Sequence, residues 1–339
     1  MVPIYYIFFK KQNKEIRCRK NLVIFRFKSQ FLKKYKVKKY TTENYAEWNE
    51  FVAKSKNATF LFHRDFMEYH QDRFEDFSLL FFDEKHHLKA ILPANRVGDN
   101  LYSHQGLTYG GLVIHENIDF IQLEIVFNCL RIYLSENDIK NATFKIIPSI
   151  YHKIKSFEFD LILYKNASII ENREMSLVID FSQELKISKS KLRHFKKSNP
   201  ELEIREEDME PFWNNVLIPR LQEKYNSTPL HSLKEIKQLK ENFKNNIIQF
   251  SAYKNKRIVA GLTLFLTENV VKSQYGATTK EGEKLRALDY LFISLIKRYK
   301  FEGKKYFDMG TVHNNQGLLN QKLELGCSVY LIDNHSVAI

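Results

Sequence analysis

Tyr45, Trp48, Phe51 and Val52 recur at helical spacing, and Thr41 or Thr42 stands in front as a cap, so a helix with one apolar face is expected there. A second apolar stretch fills residues 60–69. Alternating apolar and polar positions then predict strands over 78–82 and 88–94 across the polar turn 83–87, with 101–104 pairing beside them. Ile118, Ile121, Ile125, Phe127, Leu130 and Leu134 predict a helix with a broad apolar stripe, and the β-branched and aromatic run 143–147 a short strand.

The same order returns further on. Residues 186–197 carry six Lys/Arg and no acid, whereas 201–210 carry six acids against Arg205. Asp208 caps a helix bearing Phe212, Trp213, Val216 and Leu217, so each half places one of the two tryptophans in its first helix. Ser232 and Glu235 form a capping box for a helix with Leu233, Ile236, Leu239 and Phe243 on one face. Strands over 247–253, 258–267 and 270–277 follow, then a helix through Leu285, Leu288, Leu291, Phe292, Leu295 and Ile296, and a strand over 305–309. A repeated unit of helices, antiparallel meander, helix and strand predicts an α+β fold of two tandem domains, each a mixed, mostly antiparallel sheet flanked by helices. The expected division is 1–39 as a basic extension, ordered or disordered, 40–170 as domain one and 171–339 as domain two.

Composition refines this picture. With 339 residues and 44% apolar side chains, the chain can bury the cores of two domains. Cys18, Cys129 and Cys327 lie far apart without CxxC spacing, which points to a reducing cytoplasm rather than a disulfide framework. The formal net charge of +13 is concentrated: residues 1–39 hold 13 Lys/Arg against Glu15, so the rest is almost neutral. The chain opens on an uncharged run of nine residues, about half of what a membrane span needs, with no preceding charge, so a soluble protein is expected. The extension reads either as a solvated tail or as an electrostatic anchor to nucleic acid or an anionic membrane, the latter making a peripheral membrane contact.

The strand end Tyr306-Phe-Asp308-Met-Gly310, with Gly317-Leu318, Lys322 and Gly326 after it and the basic helix 189–197 before the Trp213 helix, resembles the domain-two motif set of the FemAB-like aminoacyl and peptidyltransferases. The meander, helix and strand order is similar to the GNAT acyltransferase fold, here in tandem over about residues 40–339. The resemblance implies transfer of an acyl or aminoacyl group to an amine of a cell-envelope or sugar-linked precursor. The acceptor is then a small molecule or a lipid- or nucleotide-linked amine, with tRNA among the partners. It also implies no permanently bound cofactor, the donor substrate being acyl-CoA or aminoacyl-tRNA. The donor loop 278–287 has a single glycine and places Arg286 where close backbone approach favours glycine, which weighs against acyl-CoA. Gly282, Lys284, Arg286 and Ala287 remain the candidate donor-binding residues.

Such chemistry needs an acceptor nitrogen freed of its proton, a stabilised oxyanion and a protonated leaving group. Asp308 either orients or deprotonates the amine, or caps a turn. Lys322 serves the donor phosphate or the oxyanion, or is a solvated lysine. His231 is a candidate base or a turn residue, and Tyr225 shares its polar loop. Substrate contact is expected in the glycine-bearing stretch with His104, Tyr109, Gly110 and Gly111, and at Gln274 and Tyr275, where alternation sends one toward the cleft. No HExxH spacing, P-loop or GxSxG is present, so neither a metal site nor a hydrolase nucleophile is expected. Two alternatives stand beside the leading reading: a CoA-dependent N-acyltransferase acting on a small amine or amino sugar, and a catalytically silent tandem domain that binds nucleic acid.

Overall fold

The computed structural model describes residues 35–198 and 201–339, and most of the basic extension lies outside the described residues. In the first half the strands are β1 (Lys36–Lys39), β2 (Glu75–Asp76), β3 (Leu79–Phe82), β4 (Leu88–Leu92), β5 (Asn95–Val97), β6 (Asn100–Tyr102), β7 (Val113–Ile114) and β8 (Asn141–Lys145). Their longer helices are α1 (Tyr45–Lys54), α2 (Phe120–Glu136) and α3 (Glu158–Lys165). The second half runs β9 (Ile169–Asp180), α4 (Lys189–Ser198), β10 (Glu203–Glu207), α5 (Ile218–Tyr225), α6 (Leu233–Asn242), β11 (Ile247–Lys254), β12 (Arg257–Leu266) and β13 (Val270–Thr278). It ends with α7 (Lys280–Lys284), α8 (Ala287–Phe301), β14 (Tyr306–Thr311), α9 (Gln316–Glu324) and β15 (Ser328–Ala338).

Two sheets form, one of four strands in the order β1-β3-β4-β7, the other of eleven, β10-β11-β12-β13-β14-β9-β15-β8-β6-β5-β2. The large sheet crosses both halves. Its middle is β15, which pairs antiparallel with β9 on one side and with β8 of the first half on the other. The C-terminal strand therefore closes the first half as well as the second. Lys36–Lys39 of the basic extension pair antiparallel with β3, so the folded part begins before residue 40.

Local chemistry explains several elements. The expected capping box forms: Ser232 accepts from the Glu235 amide at 3.2 Å while the Glu235 carboxylate accepts from the Ser232 amide at 2.7 Å. Asp119 and Gln122 do the same for α2. Trp48 and Trp213 are both wholly buried, Trp48 donating to the Phe62 carbonyl at 2.8 Å. Two expectations change. The first-half meander is split between the sheets, because Pro93 ends β4 and the next hairpin, β5 and β6, joins β8 in the large sheet instead of pairing beside β4. The stripe on α2 is rotated: Leu123, Val126, Phe127, Leu130 and Leu134 are buried, while Ile121 is 69% exposed.

Side chains alternate across the large sheet. Val271, Phe307 and Leu177 lie under α8 in one apolar cluster, so Lys272, Asp308 and Ser176 occupy the opposite face. That face turns toward the first half.

Candidate active site

β13 and β14 are parallel neighbours for only three pairs, ending at Lys272 opposite Asp308. Beyond that point β13 stays with β12 as far as Thr278, while β14 stays with β9 as far as Thr311, so the two strands part. A bulge at Gln274 bends β13 at the same level, leaving Gln274 without a partner residue on β12 and its buried side-chain oxygen without a hydrogen bond.

At the mouth of this parting, Asp308 is buried and accepts from four donors: Tyr151 Oη at 2.5 Å, the Gly310 amide at 2.7 Å, Ser176 Oγ at 2.9 Å and Lys272 Nζ at 3.2 Å. Burial alone would raise its pKa, but Lys272 and these hydrogen bonds outweigh burial and hold the carboxyl below the ordinary aspartate range. A carboxylate so fully engaged is poorly placed to take a proton from an amine; it holds Lys272 and ties the halves together through Tyr151. Tyr109, 4.7 Å ring to ring from Tyr151, is wholly buried and donates to Thr59 Oγ1 at 3.0 Å, so it supports Tyr151 from behind and does not face open space.

Lys322 comes from α9, is itself buried, and donates to the carbonyls of Gly310 at 3.1 Å and Thr311 at 3.2 Å. Gly310 takes φ +77°, a left-handed turn that suits glycine and presents its carbonyl to the lysine. Burial pushes the Lys322 ammonium down to about 8, with the nearby Asp308 charge opposing the shift. At neutral pH it is mostly charged and loses that charge readily.

A cleft of about 450 Å³ lies on the helical side of the second half, lined by Lys191, Lys224, Gly282, Arg286, Asp289 and Gln321 among others. α9 is shared: Gly317, Gln321 and Glu324 wall the cleft, and Lys322 leaves the same helix toward β14. Lys191 Nζ meets Asp289 at 2.6 Å and Glu324 at 3.5 Å, and Lys224 meets Glu283 at 2.9 Å. Arg286 is exposed and, among the described residues, has no carboxylate within 4.0 Å, so it is the cleft cation open to a phosphate. It adopts φ +56°, taking with a bulky residue the turn that glycine favours. The Tyr290 amide is the first of α8 to reach a carbonyl of the preceding turn, that of Arg286.

Several expected contacts fall elsewhere. Gly282 lines the cleft, yet a Cβ there would lie 2.2 Å from the Val259 carbonyl, and its amide is capped by Thr279 Oγ1; the glycine serves helix-to-strand packing. Ala287 is core, and Lys284 points to solvent outside the cleft lining. A Cβ on Gly110 would lie 1.8 Å from the Ser103 carbonyl, and Gly111 faces the Phe159 ring, so this stretch answers to backbone packing. Tyr225 is 61% exposed at the end of α5, outside the cleft lining. Three residues missed in the sequence belong to the site: Lys272, Tyr151 and Ser176. Lys272 alone left a trace, as a lysine directly after the apolar pair Val270-Val271 of a strand.

His231 and His104 fall in a second cluster, between the halves. The rings of Tyr69 and His231 are 5.1 Å apart, Tyr69 and His70 4.1 Å, and His70 and His104 5.4 Å. His231 Nδ1 lies 2.5 Å from Tyr275 Oη, whereas both nitrogens of His70 and Nδ1 of His104 are buried without partners. Burial lowers His70 and His231 to about 4 and His104 to about 3, with Arg73 and His70 adding repulsion. The unfolded chain therefore binds protons below about pH 6.5 that the folded chain refuses, so stability is intact above that pH and falls toward pH 4. Urea midpoints measured between pH 7 and pH 4.5 are expected to fall, and His70→Leu is expected to flatten the slope; an unchanged slope would contradict the assignment.

No family model matches the sequence, and no curated protein matches it. Solved structures do resemble it. FemX matches over 90% of this chain and 97% of its own, with a TM-score of 0.65 and 9% identity. L-PGS from Bacillus licheniformis matches over 78% of this chain and 84% of its own, at TM-score 0.53 and 12% identity. A tandem GNAT protein from the clavulanic acid biosynthesis pathway matches over 90% and 98%, at TM-score 0.50 and 9% identity. Among the described residues no helix is long and apolar enough to cross a membrane, and no group of His, Cys, Asp and Glu is arranged to hold a metal ion. The parted strands, the continuous sheet and these likenesses together give the chain the tandem GNAT fold that FemX shares.

Proposed function

We propose that the protein is a FemAB-like transferase that moves an aminoacyl or acyl group onto an amine of a cell-envelope or sugar-linked precursor. The observation that carries the reading is the parting of β13 and β14 beside Lys322, on the same helix that walls the cleft. In this account the donor lies along the cleft, its phosphate on Arg286 and its acyl carbon in the parting. The acceptor nitrogen attacks that carbon, a C–N bond forms, and the carbonyl oxygen becomes an oxyanion close to the Lys322 ammonium. Collapse breaks the bond to the leaving oxygen or sulfur, which takes up the proton given up by the amine. Lys322 stabilises the oxyanion, Lys272 adds positive charge beside it, and Asp308 with Tyr151 and Ser176 positions both. Positioning and electrostatics supply the acceleration, without a covalent enzyme intermediate.

Charge balance in the cleft favours an aminoacyl-tRNA over a CoA donor. Two of its three cations are already paired with carboxylates, leaving Arg286 for one phosphate rather than a cradle for a pyrophosphate and a third group. The test is donor binding to the full-length protein at two salt concentrations, comparing acetyl-CoA, uncharged tRNA and aminoacyl-tRNA. Preference for charged over uncharged tRNA is expected. Saturable, salt-resistant acetyl-CoA binding would move the assignment to a CoA-dependent N-acyltransferase, and equal, salt-erased tRNA binding would reduce it to a polyanion-binding module.

A further inference from the structure

Large exposed apolar side chains are unevenly spread. Of the seventeen among the described residues, eight lie between residues 121 and 170. Four form one strip: Ile154 in the loop before α3 and Phe157, Leu161 and Tyr164 at helical spacing along it, exposed by 51%, 59%, 48% and 80%. The other side of α3, with Phe159, Ile162 and Leu163, is buried in the first-half core, so α3 is apolar on both sides. A surface helix has no packing reason for that. Leu331 of β15, 52% exposed, extends the strip, since it lines the same shallow cleft of about 120 Å³ as Phe157.

The charges around the strip decide what it fits. Lys153 and Lys155 are exposed on either side of Ile154, putting two cations beside the protruding aliphatic tip. Of the acids nearby, Glu158 is held by Lys56 at 2.8 Å and Asp333 by Arg173 at 2.7 Å, while Asp160 is exposed on the same cleft as Phe157, so two lysines stand against one open carboxylate. A second copy of the chain packed on this face by a two-fold axis would bring Lys153 and Lys155 against their own copies. A lipid surface accepts the same pattern without conflict: apolar tips enter the acyl boundary, Tyr164 keeps its hydroxyl among headgroups, and lysines reach anionic phosphates. We propose that the strip from Ile154 to Tyr164 docks the protein peripherally on an anionic membrane surface. The two-turn α3 lies flat there, and the large sheet stands above it.

The experiment is vesicle sedimentation of the full-length protein, on phosphatidylcholine alone and with about one third phosphatidylglycerol, comparing wild type with the double variant Phe157→Glu, Tyr164→Glu. Both positions are exposed, and the thermal melt confirms that the variant is folded. Removing two inserted aromatic side chains is expected to lower partitioning onto the anionic vesicles about tenfold or more. The net charge of residues 1–39 also attracts anionic lipid, but that attraction is screened at high salt, whereas the difference between wild type and variant persists. Wild type that ignores vesicles, a variant that binds them as well as wild type, or self-association that the double variant abolishes would each overturn the proposal. None of these outcomes depends on the transferase reading.

Discussion

Lys322→Met lowers the rate of group transfer by about 10²–10³-fold while the donor still binds, because removing one preformed donor to a developing oxyanion costs on that order. The substitution keeps most of the buried stem and deletes the ammonium that now reaches the Gly310 and Thr311 carbonyls. The pH dependence gives an independent sign. Lys322 titrates near 8, so if it acts in its charged form, kcat/KM is flat through neutrality and falls as pH rises past about 8. A rise through the same pH would instead make it the base that takes the amine proton. Linkage runs the other way for stability. Between about 8 and 10.5 the unfolded chain keeps the proton that the folded chain has lost, so stability grows with pH across that window while activity declines.

The second large effect is on folding. Asp308→Ala is expected to destabilise the protein by about 3–5 kcal/mol, since it leaves the Lys272 ammonium, at 12% side-chain exposure, without its carboxylate and strands three further donors. Tyr151→Phe removes one of those donors and costs about 1–2 kcal/mol. Because the two residues touch, the double variant is expected to lose less than the sum, and a double-mutant cycle in urea unfolding reads that coupling directly. Additive losses would mean that Tyr151 and Asp308 do not join the halves. The depressed carboxyl also has a pH signature: its contribution is complete above the unfolded aspartate pKa near 4 and is lost as pH falls through the lower folded value.

The elements legible in the sequence were those whose two sides differ. α6 announces itself by a capping box and one apolar face, and β11 to β13 by dense apolar runs between turns. β9 and β15 gave no such signal, although they join the halves. The first half of β9, Ile-Ile-Glu-Asn-Arg, crosses between domains with five exposed residues, and β15 mixes Asp333, Asn334 and His335 into its pairing. A strand open on both sides has no reason to alternate, so periodicity passes over it. α3 was missed for the related reason that its outer face is apolar too.

The site was legible where a single residue type was out of place. Asp308 and Lys322 stood out from the motif that carries the resemblance, and the structure gathers them around Gly310. Gly282 lines the cleft, but its missing side chain makes room for the Val259 carbonyl, and Ala287 belongs to the core. Arg286 shows the converse, with a left-handed turn built on a residue that sequence reasoning counts against it. Tyr151 had no signal at all, since its importance lies in a partner 157 positions away.

The most direct test of the central claim is single-turnover transfer, followed by mass spectrometry, from aminoacyl-tRNA to a panel of amine-bearing envelope precursors. Wild type is to be compared with Lys322→Met and Arg286→Glu. The account predicts turnover by wild type, loss of the chemical step in Lys322→Met with donor binding kept, and weakened donor binding in Arg286→Glu. Equal rates in wild type and Lys322→Met would contradict it, because the parting of β13 and β14 would then not be where the group is transferred.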